Sequence, residues 1–283
     1  MKINEIFSQN RRVFSFEVFP PKKEGTLESI TSVLGELSEL KPDFISVTYG
    51  AGGNLADVST SQIASLIKNE YHIESMAHLT CVNSTQSDID LILEQLKEKG
   101  IENILALRGD INPDLPRRYD FHYSSELVRY IKQHGDFHLS GACYPEVHVE
   151  AKNMEEDIKH LKIKVEAGVS HLISQLFFDN DFFYRFQEKV RAARIDIPME
   201  AGIMPVSNKK QIERMVTMCG ASIPQKLAKL LQRYEHEPNS LRDAGIEYAI
   251  RQMEELIDHG VDGLHLYTMN NPYIARQIRK EFI

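Results

Sequence analysis

A chain of 283 residues has room for one barrel-sized domain or for two smaller ones, so length leaves the domain count open. Hydrophobic residues at 42% and charged residues at 26% are ordinary for a globular protein and argue against disorder. A formal net charge of -8 argues against general nucleic-acid or anionic-membrane binding, while leaving room for a local basic pocket.

In chain order, Val13–Phe19 is rich in β-branched and aromatic residues and is stopped by Pro20-Pro21, which predicts a first strand carrying Glu17. Leu27–Leu40 has Leu27, Ile30, Leu34 and Leu37 at helical spacing. Phe44–Thr48 is the second strand and empties into Tyr49-Gly50-Ala51-Gly52-Gly53, a loop that needs backbone freedom. Ser59 is the expected cap of a helix burying Ile63, Leu66 and Ile67, and Ile73–Leu79 is a strand with His78 at its end. Ser87 or Asp88 opens the next helix, with Ile89, Ile92, Leu93 and Leu96 on one face.

Asn103–Asp110 follows: a short apolar run ending in Arg108-Gly109-Asp110 reads as a buried strand that delivers charge to one mouth of a sheet. A polar loop from Ile111 to Tyr123 is long enough to be a lid or wall. Helices are then expected at Ser125–His134, Met154–Ala167, Asp181–Ala193, Asn208–Cys219, Pro224–Tyr234, Leu241–Asp258 and Pro272–Ile283. The strands between them are Leu139–Tyr144, His171–Gln175, Met199–Ile203 and Gly263–Tyr267.

That makes eight strands alternating with helices. Gly100-Ile101, Gly168-Val169 and Gly260-Val261 repeat one device, a helix-ending glycine followed by an aliphatic residue before a strand. No Gly/Ser linker divides the chain, so residues 1–283 read as a single (β/α)8 TIM barrel of the α/β class. An open doubly wound sheet is the alternative, but no G-x-G-x-x-G follows the first strand. Cys81, Cys143 and Cys219 lack C-x-x-C spacing, and His138, His148, His160 and His171 lack H-E-x-x-H spacing, so neither a disulfide framework nor a metal is expected. Met1-Lys2-Ile3-Asn4-Glu5 lacks the apolar core of a signal peptide and no run reaches membrane-spanning length, which makes the cytoplasm the expected location, with no membrane or nucleic-acid partner.

In a barrel the C-terminal strand ends would present Thr48, His78, Arg108 with Asp110, Tyr144, Gln175 and Tyr267 to one mouth, with Glu17 among them. Glu17 lies between Phe16 and Val18, where desolvation would favour the protonated acid that a general acid requires; a buried salt bridge is the competing reading. Asp110 follows a glycine and could accept from a ring edge rich in N–H donors, such as a pterin, or could be a loop acid. Asp157 and Lys164, seven apart on one helix face with His160 between, suit a ribose and a phosphate, or a solvated ion-pair face. Tyr144-Pro145-Glu146-Val147-His148 sets an aromatic ring and an imidazole beyond a strand, where they could meet a flat cofactor or simply pack the rim.

Seven blocks, in order along nearly the whole chain, resemble the methylenetetrahydrofolate reductases. They are Ser15-Phe16-Glu17-Val18-Phe19-Pro20-Pro21, Ser46-Val47-Thr48-Tyr49-Gly50, His78-Leu79-Thr80-Cys81 and Ala106-Leu107-Arg108-Gly109-Asp110, then Tyr144-Pro145-Glu146-Val147-His148, Gln175-Leu176-Phe177-Phe178-Asp179 and Gly202-Ile203-Met204-Pro205-Val206-Ser207. The resemblance implies a flavin barrel in which FAD takes hydride from NADH or NADPH and then passes it to 5,10-methylenetetrahydrofolate, in ping-pong fashion, giving 5-methyltetrahydrofolate. It implies Glu17 as the acid that opens the folate's five-membered ring, and Asp110 as the group that binds the pterin and stabilises the cationic 5-iminium intermediate. Gln175 would touch pterin or nicotinamide, Thr48 the nicotinamide, and Gln211 the folate side. Tyr49, Ala51, His78, Arg108, Gly109, Tyr123, Ser124, Tyr144, His148, Ala151, Asp157, His160 and Lys164 fall where the family holds FAD, His160 with a changed side chain. A homo-oligomer is the expected assembly.

One departure stands out: Tyr267-Thr268-Met269-Asn270-Asn271 places Asn271 where many relatives have an arginine for the folate's glutamate tail. That change motivates an alternative, a flavin- or folate-binding barrel subunit that receives electrons from a partner protein. An aldolase-type barrel is disfavoured because no lysine falls inside a predicted strand. The chain also lacks the regulatory region of the animal enzymes, so no S-adenosylmethionine control is expected.

Overall fold

Strict alternation along eight short strands sorts their side chains between a lumen and an outer face. The computed structural model of the chain describes residues 1–9, 11–21, 27–49, 58–111 and 118–282. In chain order the elements are α1 (Ile3–Phe7), β1 (Val13–Val18), α2 (Leu27–Ser38), β2 (Phe44–Val47), α3 (Val58–Asn69), β3 (Glu74–Thr80), α4 (Gln86–Glu98), β4 (Asn103–Leu107), α5 (Ser124–His134) and β5 (His138–Cys143). There follow α6 (Met154–Glu166), β6 (His171–Ser174), α7 (Asn180–Ala192), β7 (Met199–Ile203), α8 (Lys209–Cys219), α9 (Gln225–Arg233), α10 (Pro238–Asp258), β8 (Gly263–Tyr267) and α11 (Pro272–Arg279). The strands pair in parallel and in sequence, and β8 closes on β1, so the fold is the (β/α)8 barrel and not the open sheet.

Register carries one inward set round the ring. Ser15 lies opposite Phe44 and His265, Glu17 opposite Ser46 and Tyr267, Ser140 opposite His171, and Gly202 opposite His265. The alternate residues, among them Phe16, Ile45, Leu79, Ile104, Leu139, Leu172 and Leu264, point outward and build the main core with Leu34, Ile63, Leu93, Leu127 and Met253 of the helices. Apolar packing therefore sits between strands and helices, while the lumen is rich in Ser, His and Glu.

The glycine repeat closes its helices as expected. Ile101, Val169 and Val261 each donate an N–H back to Leu96, Lys164 and Leu256 (2.9, 3.3 and 3.1 Å), the long bond of a Schellman cap, over glycines with positive φ. The start of α4 lies earlier than the expected Ser87 or Asp88. Thr85 caps it, accepting from the Asp88 N–H while the Asp88 carboxylate takes the Thr85 N–H, a reciprocal pair that only Thr85 can make. The expected cap Ser59 falls among residues whose side chains are outside the described set. Helix α1 had no sequence signal, because five residues are too few to show a period. It plugs the N-terminal end of the barrel, burying Ile3 and Ile6 against Val13, Phe44, Met76, Leu105 and Ile173. Among the described residues no helix is long and apolar enough to cross a membrane.

Candidate active site

Alternation along β1 aims Glu17 at the C-terminal mouth of the lumen. Its carboxyl keeps 19% exposure, and Oε2 stands 3.6 Å from Nε2 of His78 on β3 and Nε2 of His265 on β8. Both imidazole nitrogens are buried and have no hydrogen-bond partner among the described residues. Burial drives the His78 pKa down to about 4, although the nearby Glu17 charge opposes the shift. His78 is therefore neutral near neutral pH, and among the described residues no Lys or Arg pairs with Glu17. Among the described residues, the only groups that could form the competing buried salt bridge with Glu17 are these two imidazoles. The backbone beneath Glu17 is fixed from β8. The Thr268 hydroxyl donates to the Glu17 carbonyl at 2.6 Å, and the Asn270 side chain pairs with both the N–H and the C=O of Phe19.

A second set of side chains gathers past β5. Tyr144 packs edge-on to His148 with ring centroids 4.6 Å apart, and the His148 N–H donates to the Asp157 carboxylate at 2.9 Å. The Lys164 ammonium donates to the Ala142 carbonyl at 2.7 Å, and burial holds its pKa below the ordinary lysine value. Tyr144, Asp157, His160 and Lys164 share the wall of one pocket. Among the described residues Asp157 keeps one carboxylate oxygen and Lys164 two protons without a partner, so this wall can offer an acceptor to a sugar hydroxyl and a cation to an anion. Tyr267 bridges the two sets. Its hydroxyl donates to the Ser174 carbonyl at 2.7 Å, and burial and the charge of Glu17 raise its pKa, with Tyr144 contributing. Arg108 at the exit of β4 forms a two-pronged pair with Glu150 at 2.5 and 2.6 Å, which raises its pKa further.

A family model described as methylenetetrahydrofolate reductase matches residues 2–282. The chain belongs to this family. A 5,10-methylenetetrahydrofolate reductase from Pectobacterium carotovorum subsp. carotovorum is 37% identical over 270 residues, covering 95% of this chain and 90% of the relative. The Escherichia coli K12 protein of the same name is 37% identical over 93% of this chain and 88% of its own length. A relative from Arabidopsis thaliana named methylenetetrahydrofolate reductase (NADH) 1 is also 37% identical over 95% of this chain, which spans 48% of that longer protein. Among solved structures, a Clostridium thermocellum protein described as binding two copies of 5-methyl-5,6,7,8-tetrahydrofolic acid covers 99% of this chain, with a TM-score of 0.66 and 16% identity. Mycobacterium tuberculosis tryptophan synthase aligns over 98% of it with a TM-score of 0.55 at 12% identity. At such identities these structures speak for the barrel alone. As a methylenetetrahydrofolate reductase family member, the chain is an oxidoreductase of folate one-carbon metabolism.

The remaining residues that the reductase resemblance singles out lie as follows. Thr48 follows β2, its carbonyl accepting from the Thr60 hydroxyl at 3.0 Å, and Tyr49 shares a pocket wall with Thr60 and His78. Gly109 has φ +82°, and a Cβ there would come within 2.9 Å of Thr80 Cβ, so the turn demands glycine. Asp110 is exposed after it, its backbone carbonyl held by Asn83 at 3.1 Å. Tyr123 is 63% exposed at the cap position of α5, and Ser124 opens that helix. Ala151 closes a turn onto the His148 carbonyl at 2.8 Å. The Gln175 side chain folds back on the Leu176 N–H at 2.9 Å. Gln211 sits in the first turn of α8, and Asn271 caps α11 by accepting from the Ile274 N–H. The Gln211 backbone N–H and the Asn271 side chain are engaged at their own helix starts, with no hydrogen bond or ion pair to the Glu17 or Lys164 sets among the described residues. Ala51 lies outside the described residues.

Sequence reading missed His265, Ser15 and Glu200, which line the lumen beside or beneath Glu17. The signal was present for two of them: stepping by two back from Tyr267 reaches His265, and back from Glu17 reaches Ser15. Thr268 and Asn270 had none, since their role depends on which strand closes against β1.

Proposed function

We propose that this barrel, as one catalytic unit over residues 1–283, reduces 5,10-methylenetetrahydrofolate to 5-methyltetrahydrofolate with FAD and NADH or NADPH. The observation that carries the reading is the Glu17 carboxyl at the mouth, set between two buried imidazole nitrogens and free of any lysine or arginine partner among the described residues. A carboxyl group without a strong cation beside it can hold a proton and donate it to the departing ring nitrogen of the folate. Asp110, one turn beyond β4, would accept from the pterin's N–H groups and stabilise the positive charge that ring opening creates.

The residues past β5 fit FAD. Among the described residues, the Lys164 ammonium has two protons to spare and Asp157 an open carboxylate oxygen, and the Tyr144–His148 pair offers aromatic surface. When bound, FAD supplies hydride transfer in two half-reactions, from the nicotinamide and then to the folate. Arg108 would serve an anionic portion of it, exchanging or sharing Glu150. The plant relative's name supports NADH as the donor. We further propose that the chain works in the cytoplasm as a homo-oligomer.

An anaerobic titration of the purified, flavin-loaded protein with NADH tests the reading. Bleaching of the flavin absorption band, then its return on adding methylenetetrahydrofolate, is the expected result. A flavin that stays oxidised with both nicotinamides would shift the reading to a barrel fed by a partner protein. A protein that cannot retain FAD would overturn it.

A further inference from the structure

We propose that Glu200 and Ser15 are positioning residues that fix the tautomer of His265, so that its Nε2–H faces the Glu17 carboxyl group. Glu200 on β7 is wholly buried in the lumen, and its Oε1 lies 2.8 Å from the Ser15 hydroxyl. The same hydroxyl lies 2.6 Å from His265 Nδ1, and the far nitrogen of that ring stands 3.6 Å from Glu17 Oε2. Phe44 stacks on the His265 ring and Tyr267 packs edge-on to it, which holds its plane. The lumen is shaped for this glutamate: a Cβ at Gly263, directly across from it, would lie 2.8 Å from Glu200 Cγ.

A serine hydroxyl has one proton, so its direction decides the tautomer next door. With Glu200 protonated on Oε1, the oxygen beside Ser15, its O–H donates to Ser15, Ser15 donates to Nδ1, and the ring proton resides on Nε2. With Glu200 ionised, Ser15 donates to the carboxylate, Nδ1–H donates to Ser15, and Nε2 turns a lone pair on Glu17. Passing from the first arrangement to the second shifts one proton along each link, and the proton lost emerges at Nε2, beside Glu17.

The surroundings favour the first arrangement near neutral pH. Burial raises the Glu200 pKa to about 8; His265 and the Ser15 hydrogen bond pull it back, and Asp43 before β2 and Asp262 before β8 push it up. His171 on β6, 3.1 Å from Glu200 Oε2, adds no cation, because burial lowers its pKa to about 3. Two neutral groups meet there.

The proposal rests on the role given to Glu17, but its test reads the protein without substrate. In protein labelled with ¹⁵N-histidine, the His265 signals are assigned by their loss in His265→Gln, and the tautomer is followed as pH rises. Nε2–H at neutral pH, switching to Nδ1–H as pH passes about 8, is expected. Glu200→Gln, whose amide keeps donating to Ser15, should hold Nε2–H throughout, and Ser15→Ala should lose the switch. Nδ1–H at neutral pH in the unaltered protein, or an unchanged switch in Glu200→Gln, overturns the proposal. Should Glu200→Gln fail to fold, the titration of the unaltered protein still decides it. Folate reduction assayed alongside is a separate readout: an inactive parent protein would sink the proposed function and leave the tautomer result standing.

Discussion

At the scale of residues, the mouth of the barrel sets the Glu17 carboxyl apart from the Tyr144, Asp157 and Lys164 wall proposed to hold FAD. Glu17 has two imidazole neighbours and no lysine or arginine partner among the described residues, so removing its ionisable proton should affect ring opening and little else. Glu17→Gln is expected to keep the yellow colour and NADH oxidation while folate reduction falls by about 10²-fold or more, the usual worth of a general acid. Stopped-flow measurement of the two half-reactions separates these effects, and unimpaired folate turnover would remove Glu17 from the role. Lys164 tests the other wall. Its ammonium is buried against the Ala142 carbonyl, in surroundings that disfavour its charge. Lys164→Met should weaken FAD retention by about tenfold or more, equivalent to about 1.4 kcal/mol, without lowering thermal stability. Equal FAD affinity in the two proteins would place the cofactor elsewhere.

At the scale of elements, α1 acts as the floor of the barrel although it is the shortest helix described. Its Ile3 N–H is tied to the Asn103 side chain at 2.9 Å, and Ile3 and Ile6 complete the apolar layer at the strand N-termini. Ile6→Ala leaves a cavity among Val13, Phe44 and their neighbours that those strands cannot close by shifting. A loss of about 2–5 kcal/mol is expected, read by denaturant unfolding, with the proposed folate site unaffected because Glu17 lies at the opposite end. A loss below about 1 kcal/mol would mean that α1 only lies against the barrel.

At the scale of the whole molecule, the polar lumen sets the response to pH. His78, His138 and His171 are buried neutral, with pKa values lowered from 6.5 to about 4, about 3 and about 3. The unfolded chain binds protons at these sites first, so their stability is fully present above pH 6.5 and is lost as pH falls through 4 and 3. Glu200 works in the opposite sense. Its pKa rises from 4.5 to about 8, so its share is fully present below pH 4.5 and is gone once pH passes about 8. Between pH 4.5 and 6.5 these three histidines outweigh the one glutamate, and from 6.5 to 8 their share is constant while that of the glutamate falls. Melting temperature should therefore peak near pH 6.5, and Glu200→Gln should flatten the alkaline limb while steepening the acid limb between pH 4.5 and 6.5. Calorimetry across this range checks both limbs; a melting temperature that climbs steadily to alkaline pH would contradict the assignment.

The sequence by itself determined the barrel and its mouth. Apolar runs of period two alternating with helical runs, and a glycine closing each of three helices, are local signals, and local signals survive without a fold. It also determined Glu17, His78, Arg108, Asp157 and Lys164 as candidates, because each is a charged or titratable group inside an apolar strand, at a strand end, or paired along one helix face. Only the tertiary structure decided what those groups meet. That Glu17 faces His265 across the seam between β1 and β8 depends on closure of the ring, which joins residues 248 positions apart. That Arg108 is held by Glu150, and that Glu200 reaches His265 through Ser15, depend on register and lumen diameter. Local spacing encodes which face a side chain takes. The partner across the lumen is chosen by packing distances that no stretch of sequence contains.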